Sequence, residues 1–326
     1  MDAVMKENYS EKIFLETETD TIEGVIIDSS DDKKFTLTKV VRYPSGEEYD
    51  GVYHYCKDEV KNVCVLKYIN SGNEIICGNS SDANHFLTGE EYDRLIALAR
   101  DTVFIDCTNS LFGEAIETIN KETIIGIDAK GVSHGRQSDI ELFSIYTRSS
   151  IYQFDILKLG RKAFDSGLRT ILNGTIVKVI HNSRLLSDCL YHQYSVKLEN
   201  VFDTQVGELM VERNVTGKIP DYVCNLKECV NIFLGVPSSL VHSSQDDAMW
   251  SVRPLTPSVM FAAARDVVFL LALQERIEAR LLSRLKKGTE LFLTLVRDSE
   301  NDEANFYIGR NHLVPKQFLE FEFIDV

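Results

Sequence analysis

The sequence predicts an α/β fold, a mixed sheet flanked by helices, preceded by a small antiparallel β-barrel. Two observations predict it. Residues 12–69 contain short stretches with β-branched residues at every second position, separated by turn residues, as in successive hairpins. Beyond residue 100, strand-like stretches alternate with segments of helical spacing. With 326 residues, the chain is long enough for one large domain and one small one.

The successive hairpins predict a small, strongly bent antiparallel barrel over residues 8–77. Gly24 precedes an apolar strand, Asp28 supplies an acidic turn, Gly51 follows, and VKNVCVLKY closes the pattern. This pattern resembles an Sm-like (Lsm) domain. Such barrels bind RNA, assemble into rings or serve as protein-interaction modules, and the negative charge of this segment favours protein interaction.

The second part of the chain follows a predicted linker at residues 71–86, which is polar and rich in small residues. Thr88 predicts the N-cap of the next helix. Strands are predicted at 103–106, 123–128, 140–147, 150–156, 175–181 and 201–206, and helices at 161–173 and 184–194. A last helical pattern begins at Thr256 and stops at Gly288. We therefore expect a domain at 87–290 and a partly disordered extension at 291–326.

The composition excludes several classes of protein. Hydrophobic residues make up 44% and charged residues 26%, as in an ordinary globular protein. The longest apolar run, residues 266–273, is too short to span a bilayer, and the first fifteen residues do not read as a signal peptide. Seven scattered cysteines without CxxC spacing predict free thiols and no zinc site. We expect a cytoplasmic protein without membrane association.

The net charge of −15 is unevenly distributed along the chain. Residues 1–100 carry −9, residues 101–290 carry −2 and residues 291–326 carry −4, so that the middle segment has room for a local basic face. A basic stripe suited to phosphates is predicted on the last helix, at Arg276, Arg280, Arg284, Lys286 and Lys287. A solvated helix face that complements the helix C-terminus is an equally open interpretation.

The stretch TIIGIDAKG, residues 123–131, predicts a buried strand that ends at Asp128 and is followed by Lys130. From the residues alone, Asp128 is either a site carboxylate or an ordinary turn residue. Four segments, IIGIDAKG, KVIHNSRLLSDCLYHQYSVKLENVFDTQV, WSVRPLTPSV and FAAARDVVFLLAL, together resemble the ribonuclease D type of DEDD 3′–5′ exonucleases. The resemblance extends roughly from residue 100 to residue 290 and implies a ribonuclease H-like fold.

LYHQY followed by VFDTQV is similar to the exonuclease-domain branch that includes Egalitarian. The resemblance implies a role in RNA-mediated gene silencing, in the germline and meiotic piRNA pathway. It further implies cytoplasmic germ granules as the location, protein partners in a small-RNA complex, and a homodimer formed through the exonuclease-like domain.

Active members of the resembled family cleave with two metal ions held by carboxylates and with a tyrosine that positions water. When the family pattern is carried over to this sequence, the four ligand positions are Asp128, Lys130, Leu186 and Asp266, and the tyrosine position is Ala262. Two carboxylates are kept, whereas two ligands and the tyrosine are replaced. Because Mg²⁺ requires oxygen ligands and does not accept an ammonium group, the resemblance implies no catalysis, no bound metal and no other cofactor.

Nearby acidic residues decide whether the metal site is lost or whether other carboxylates replace the missing ligands. Asp188 lies about 200° around the helix from Leu186 and is expected to face away. Asp246 and Asp247 lie in a loop whose geometry the sequence leaves open. His181 is expected to be a buried core histidine.

Three functions follow as hypotheses. The first is a catalytically inactive, RNA-binding adapter that contacts single-stranded RNA through Lys130 and the basic stripe. The second is an active exoribonuclease with relocated ligands. The third is a protein scaffold that does not bind RNA. Metal-dependent hydrolysis separates the second from the others, and salt-sensitive RNA binding separates the first from the third.

Overall fold

The computed structural model describes residues 11–28, 33–43, 45–67, 86–241 and 248–307, with residues 310, 312–315 and 318. The predicted linker lies outside these residues except for Phe86. Five strands form an N-terminal antiparallel sheet: β1 (Glu11–Glu16), β2 (Thr21–Asp28), β3 (Lys34–Tyr43), β4 (Glu47–Cys56) and β5 (Asn62–Lys67). Their order is β4-β3-β2-β1-β5.

The predicted closure of these strands into a barrel is wrong for the part of the chain that the structure describes. The edge strands β4 and β5 do not pair, and the antiparallel sheet stays open. The burial of β1 on both faces gives the reason. Ile13 and Leu15 pack in the sheet's own core, whereas Phe14 between them packs against the second part of the chain. The outer face of the sheet is therefore covered by the second part of the chain, and not by closure of the sheet into a barrel.

The second part alternates helices and strands, as predicted. Its first half contains α1 (Gly89–Arg100), β6 (Thr102–Ile105), α2 (Ser110–Ile119), β7 (Ile124–Lys130), β8 (Leu142–Tyr146), β9 (Ile151–Asp155), α3 (Ile156–Leu159), α4 (Arg161–Ala163) and α5 (Arg169–Asn173). Its second half contains β10 (Val177–Ile180), α6 (Ser183–Tyr194), β11 (Val201–Asp203), α7 (Thr204–Thr216), α8 (Leu226–Leu234), α9 (Ala248–Ser251), α10 (Pro257–Val268), α11 (Leu270–Leu281), α12 (Ser283–Arg297) and α13 (Asn301–Tyr307).

The α/β domain has a six-stranded mixed sheet in the order β11-β10-β7-β8-β9-β6, which confirms the predicted class. Strand β7 is central, parallel to β10 and antiparallel to β8. The predicted strand at 201–206 is shorter in the structure. It ends at Asp203, whose carboxylate accepts hydrogen bonds from backbone amides at the start of α6, which precedes it, and at the start of α7, which follows it. A side-chain cap thus ends the strand and begins α7.

The last helical pattern extends beyond its predicted end. Thr256 caps α10 as predicted, but the helices continue through Gly288 to Arg297. Gly288 is a packing residue, because a Cβ atom there would lie 3.0 Å from the ring of Phe318. The segment Pro257–Leu281 is long and apolar enough to cross a membrane, but 61% of its apolar 18-residue stretch is buried inside the protein, as in a core helix.

A buried polar cluster joins the N-terminal sheet to the α/β domain. The Glu23 carboxylate accepts hydrogen bonds from Lys12 at 2.5 Å, from the Tyr43 hydroxyl at 3.0 Å and from the Tyr92 hydroxyl at 3.2 Å. Lys12 also donates to Asp93 of α1. Three partners satisfy this one buried acid, so the network fixes the orientation of the sheet against α1.

Candidate functional site

Strand β7 places Asp128 and Lys130 on one face of the central sheet, because side chains two residues apart in a strand point the same way. The alternate residues Ile125 and Ile127 are buried in the apolar core on the opposite face. The β-branched first part of β7 is therefore followed by two charged side chains on one face of the sheet.

Gly126 brings the last long helix against this same face. A Cβ atom at Gly126 would lie 3.3 Å from the Val267 carbonyl oxygen and 3.3 Å from Leu270 Cβ. Only glycine allows the helix to approach this closely without displacement. The close packing places Asp266, which is 2% exposed, beside the end of β7.

The ammonium group of Lys130 lies between the two retained carboxylates. Its Nζ atom is 3.0 Å from Asp128 Oδ2 and donates a hydrogen bond to Asp266. It also lies 5.1 Å from the centre of the Trp250 ring. The Lys130 side chain is 15% exposed and that of Asp266 is 3% exposed, so solvent screens this cluster weakly.

The cluster is ionised at neutral pH. Burial alone would lower the pKa of Lys130, but the carboxylates of Asp128 and Asp266 outweigh burial and raise that pKa above its ordinary value. Burial raises the pKa of Asp266 to about 6, although Lys130 opposes the rise. Lys130 is therefore positive and Asp266 negative at pH 7 and above, up to the ionisation of the lysine.

The third position of the family pattern is part of the apolar core. Leu186 of α6 is 4% exposed and belongs to the same apolar cluster as Ile125 and Ile127. Asp188 does not replace it. The Arg136 backbone amide donates to Asp188 at 2.6 Å and the Arg136 guanidinium group donates at 2.8 Å, so this carboxylate is already engaged.

The tyrosine position of the family pattern is occupied by the small residue Ala262, which packs in one cluster with Trp250. Ala262 lies one turn before Asp266 on α10, is 5% exposed and belongs to one apolar cluster with Trp250. Sequence reasoning missed Trp250 as a site residue. The sequence shows Trp250 only as part of the WSVRP segment, because the contact of its ring with Lys130 depends on tertiary packing.

Two further side chains near the site are used structurally. His181 Nδ1 lies 2.9 Å from the Thr204 hydroxyl, and burial lowers the pKa of the ring, consistent with a neutral core histidine. Burial would raise the pKa of Asp203, but hydrogen bonds from Ser183 and Asn182 outweigh it and lower that pKa. Asp203 is thus committed to capping helices.

The residues present do not fit the two-metal centre of active exonucleases. Four positions of the family pattern carry carboxylates that hold the metals, and this chain keeps two of them. The ammonium group of Lys130 and the side chain of Leu186 occupy the other two positions. Among the residues that the structure describes, no group of three His, Cys, Asp or Glu side chains has metal-binding geometry. Asp246 and Asp247 lie outside the described residues.

The basic stripe does not line this site. At 1.5 Å per residue, Arg276 lies roughly 15 Å and Arg284 roughly 27 Å beyond Asp266 along the helices. Each arginine also contacts the chain itself: Arg276 lies 3.5 Å from Glu91, Arg280 lies over the Phe233 ring, and Arg284 donates to the Asn214 carbonyl oxygen. Lys286 and Lys287 are exposed. The structure therefore separates Lys130 from the other predicted RNA contacts.

A 3′-5′ exonuclease family model matches residues 104–282, more than half of the chain. The chain belongs to the 3′-5′ exonuclease family. Within this family it is similar to piRNA biogenesis protein EXD1 of Bombyx mori, with 31% identity over 301 residues and 92% of each chain covered. The predicted family resemblance is confirmed.

Other members of the family match a smaller share. Identity to piRNA biogenesis protein EXD1 of Mus musculus is 33% over 208 residues, which covers 61% of this chain and 36% of the mouse protein. The chain thus spans about a third of that relative. RNase D of Trypanosoma brucei in complex with GMP superposes with a TM-score of 0.51 at 21% identity, covering 57% of this chain and 58% of that one, and shares the fold.

Replacing Lys130 by Met tests the charge balance of the cluster. We expect the free energy of unfolding at pH 8 to fall by roughly 3 kcal/mol, because the buried carboxylates lose their counter-charge. An acid whose folded pKa exceeds its unfolded pKa binds more protons when folded, so its contribution to stability falls as pH rises through that window. Since the pKa of Asp266 is already about 6 and rises further without Lys130, the loss should be smaller at pH 5.

The measurement is urea unfolding of parent and variant at pH 5 and pH 8. Lys158→Met is the matched control, because Lys158 pairs with Asp106 at 2.9 Å on the exposed surface. We expect this control to unfold like the parent at both pH values. A Lys130→Met variant as stable as the control would show that Lys130 does not hold the two carboxylates.

Proposed function

We propose that the chain is a catalytically inactive, RNA-binding adapter of a germline piRNA biogenesis complex in cytoplasmic granules. The position of the Lys130 ammonium group between Asp128 and Asp266 carries the proposal. It neutralises the charge that would otherwise attract a divalent ion, and it occupies the space between the two carboxylates. Similarity to piRNA biogenesis proteins over nearly the whole chain supports the cellular setting.

The structure also argues against relocation of the metal ligands. The nearest alternative carboxylate on α6, Asp188, is paired with Arg136, and Asp203 is bound by backbone amides. A carboxylate that already accepts several hydrogen bonds would lose them on binding a metal. An adapter therefore agrees with the contacts better than an active exonuclease does.

The N-terminal sheet supplies a second element of the proposed adapter. We assign it to an Sm-like module that contacts proteins, because residues 1–100 carry a net charge of −9 that repels nucleic acid. Its edge strands β4 and β5 have no partner strand within the described structure. Unpaired strand edges are sites for β-strand addition by a partner protein.

The parent chain should not shorten a 5′-labelled single-stranded RNA in the presence of Mg²⁺ or Mn²⁺, because the carboxylates needed for two metals are replaced. Restoring carboxylates in a Lys130→Glu/Leu186→Asp variant should create a divalent-metal site. We expect Mn²⁺ to raise the melting temperature of this variant by at least about 3 °C and to leave that of the parent unchanged.

Calcium and sodium chloride at matched ionic strength serve as ionic controls for the melting experiment. Leu186→Asp alone is the matched variant, since it adds one carboxylate but keeps Lys130 between the other two. Metal-dependent shortening of RNA by the parent, abolished by Asp128→Ala, would replace this proposal with the exonuclease that has relocated ligands.

RNA binding should depend on the exposed end of the basic stripe. Because Arg280 and Arg284 also pack against the chain, replacing all three arginines would disturb the fold together with any phosphate contact. Lys286→Gln/Lys287→Gln instead changes two side chains that are exposed. We expect the double variant to bind single-stranded RNA severalfold more weakly, with a smaller salt dependence, because it loses about two phosphate contacts.

Fluorescence anisotropy with a labelled oligonucleotide at several salt concentrations measures this change. Lys34→Gln/Lys57→Gln removes the same charge from the N-terminal sheet and should leave RNA affinity unchanged. Equal affinities for the stripe variant and the parent would identify the stripe as a solvated face. Absence of RNA binding by the parent even at low salt would favour the protein scaffold.

We also propose a homodimer formed through the exonuclease-like domain, consistent with the preference of oligomers for two-fold symmetry. Light scattering of the full chain at micromolar concentration should give twice the mass of 37.0 kDa. A mass of one chain across the concentration range would leave the adapter monomeric.

A further inference from the structure

A cavity of about 510 Å³ lies where the N-terminal sheet meets the α/β domain. Its walls are the turn between β1 and β2, the ring of Tyr43, the start of α8 and the buried side of α10. We call it the junction cavity. Its size suits a small organic molecule and exceeds that of a single inorganic ion.

One wall of the junction cavity carries a buried guanidinium group. Arg265 is 8% exposed, and its Nε and Nη1 atoms have no hydrogen-bond partner. Its guanidinium carbon lies 5.6 Å from the centre of the Tyr43 ring and 5.0 Å from that of Phe261. No ion pair of Arg265 with a carboxylate occurs within the described ranges. Burying a cation without a counter-ion is costly, so this group is prepared for an anion.

A second cation of the wall is available as well. Lys227, near the start of α8, lines the cavity and forms neither an ion pair nor a side-chain hydrogen bond within the described parts of the chain. The acids of the wall already have partners, of which Lys61 and Ser239 also line the cavity. Glu18 pairs with Lys61, Asp20 pairs with Arg42, and Glu16 accepts hydrogen bonds from the Ser239 hydroxyl and the Asn62 amide.

We propose that the junction cavity binds a small phosphomonoester, with its phosphate held between Arg265 and Lys227. The guanidinium group and the lysine each supply a charged donor to the phosphate oxygens. A phosphomonoester carries about two negative charges at pH 7, which matches the two cations that have no carboxylate partner. The remaining volume accommodates the organic part. This inference is independent of RNA binding by the exonuclease-like domain.

Isothermal titration calorimetry on the full chain with uridine monophosphate, inorganic phosphate and uridine tests the proposal. We expect both phosphate-bearing probes to bind and uridine to give no heat of binding. Lys227→Gln should weaken uridine monophosphate binding by about tenfold or more, because one charged hydrogen bond is lost. Lys121→Gln, which removes an exposed lysine outside the cavity, should bind like the parent.

Arg265→Gln should abolish binding if the variant folds, and Lys227→Gln carries the test if it does not, since Lys227 is only half-buried. Absence of heat with both phosphate-bearing probes at millimolar concentration would overturn the proposal. Binding that Lys227→Gln leaves unchanged would overturn it too, because the probe would then occupy another site, such as the end of β7.

Discussion

The ion pair of Lys130 with the carboxylates of Asp128 and Asp266 is the interaction on which the central part of the molecule depends. Asp128 and Lys130 lie in the last part of the central strand and Asp266 belongs to the long helix packed across it, so a single ammonium group joins sheet and helix. Without a positive charge, the two acids would repel each other across a cluster that solvent screens weakly. In nucleases that bind metal, divalent ions balance comparable carboxylates; here the balancing charge is covalently part of the strand.

The order of the main elements and the retained acids could be predicted from the sequence because they depend on local patterns. Alternation within IIGID predicts that Asp128 and Lys130 share a face, and the five-residue offset from His181 locates Leu186. The role of Trp250 could not be predicted, since an indole far along the chain approaches Lys130 only through tertiary packing. The same limit applies to Arg284, whose spacing predicts either a basic stripe or a solvated face although it donates to Asn214.

Two other differences between prediction and structure share one physical cause. The predicted barrel is an open sheet because Phe14, between two residues of the sheet's core, finds its partners in the α/β domain. The last helix passes Gly288 because this residue packs against Phe318 instead of ending a turn. Sequence patterns report which residues avoid water, but they do not report which surface covers them.

The common core of the N-terminal sheet and the α/β domain has a mechanical consequence. Phe14, Tyr43 and Leu66 pack in the same cluster as Tyr92 and Phe269, so we expect the sheet and the domain to move and unfold as one body. A protein bound at an edge of the sheet is therefore presented to the nuclease-like face at a fixed distance and angle. Two ligands bound to one rigid protein are held at a high effective concentration relative to each other, without the entropy cost of a flexible tether.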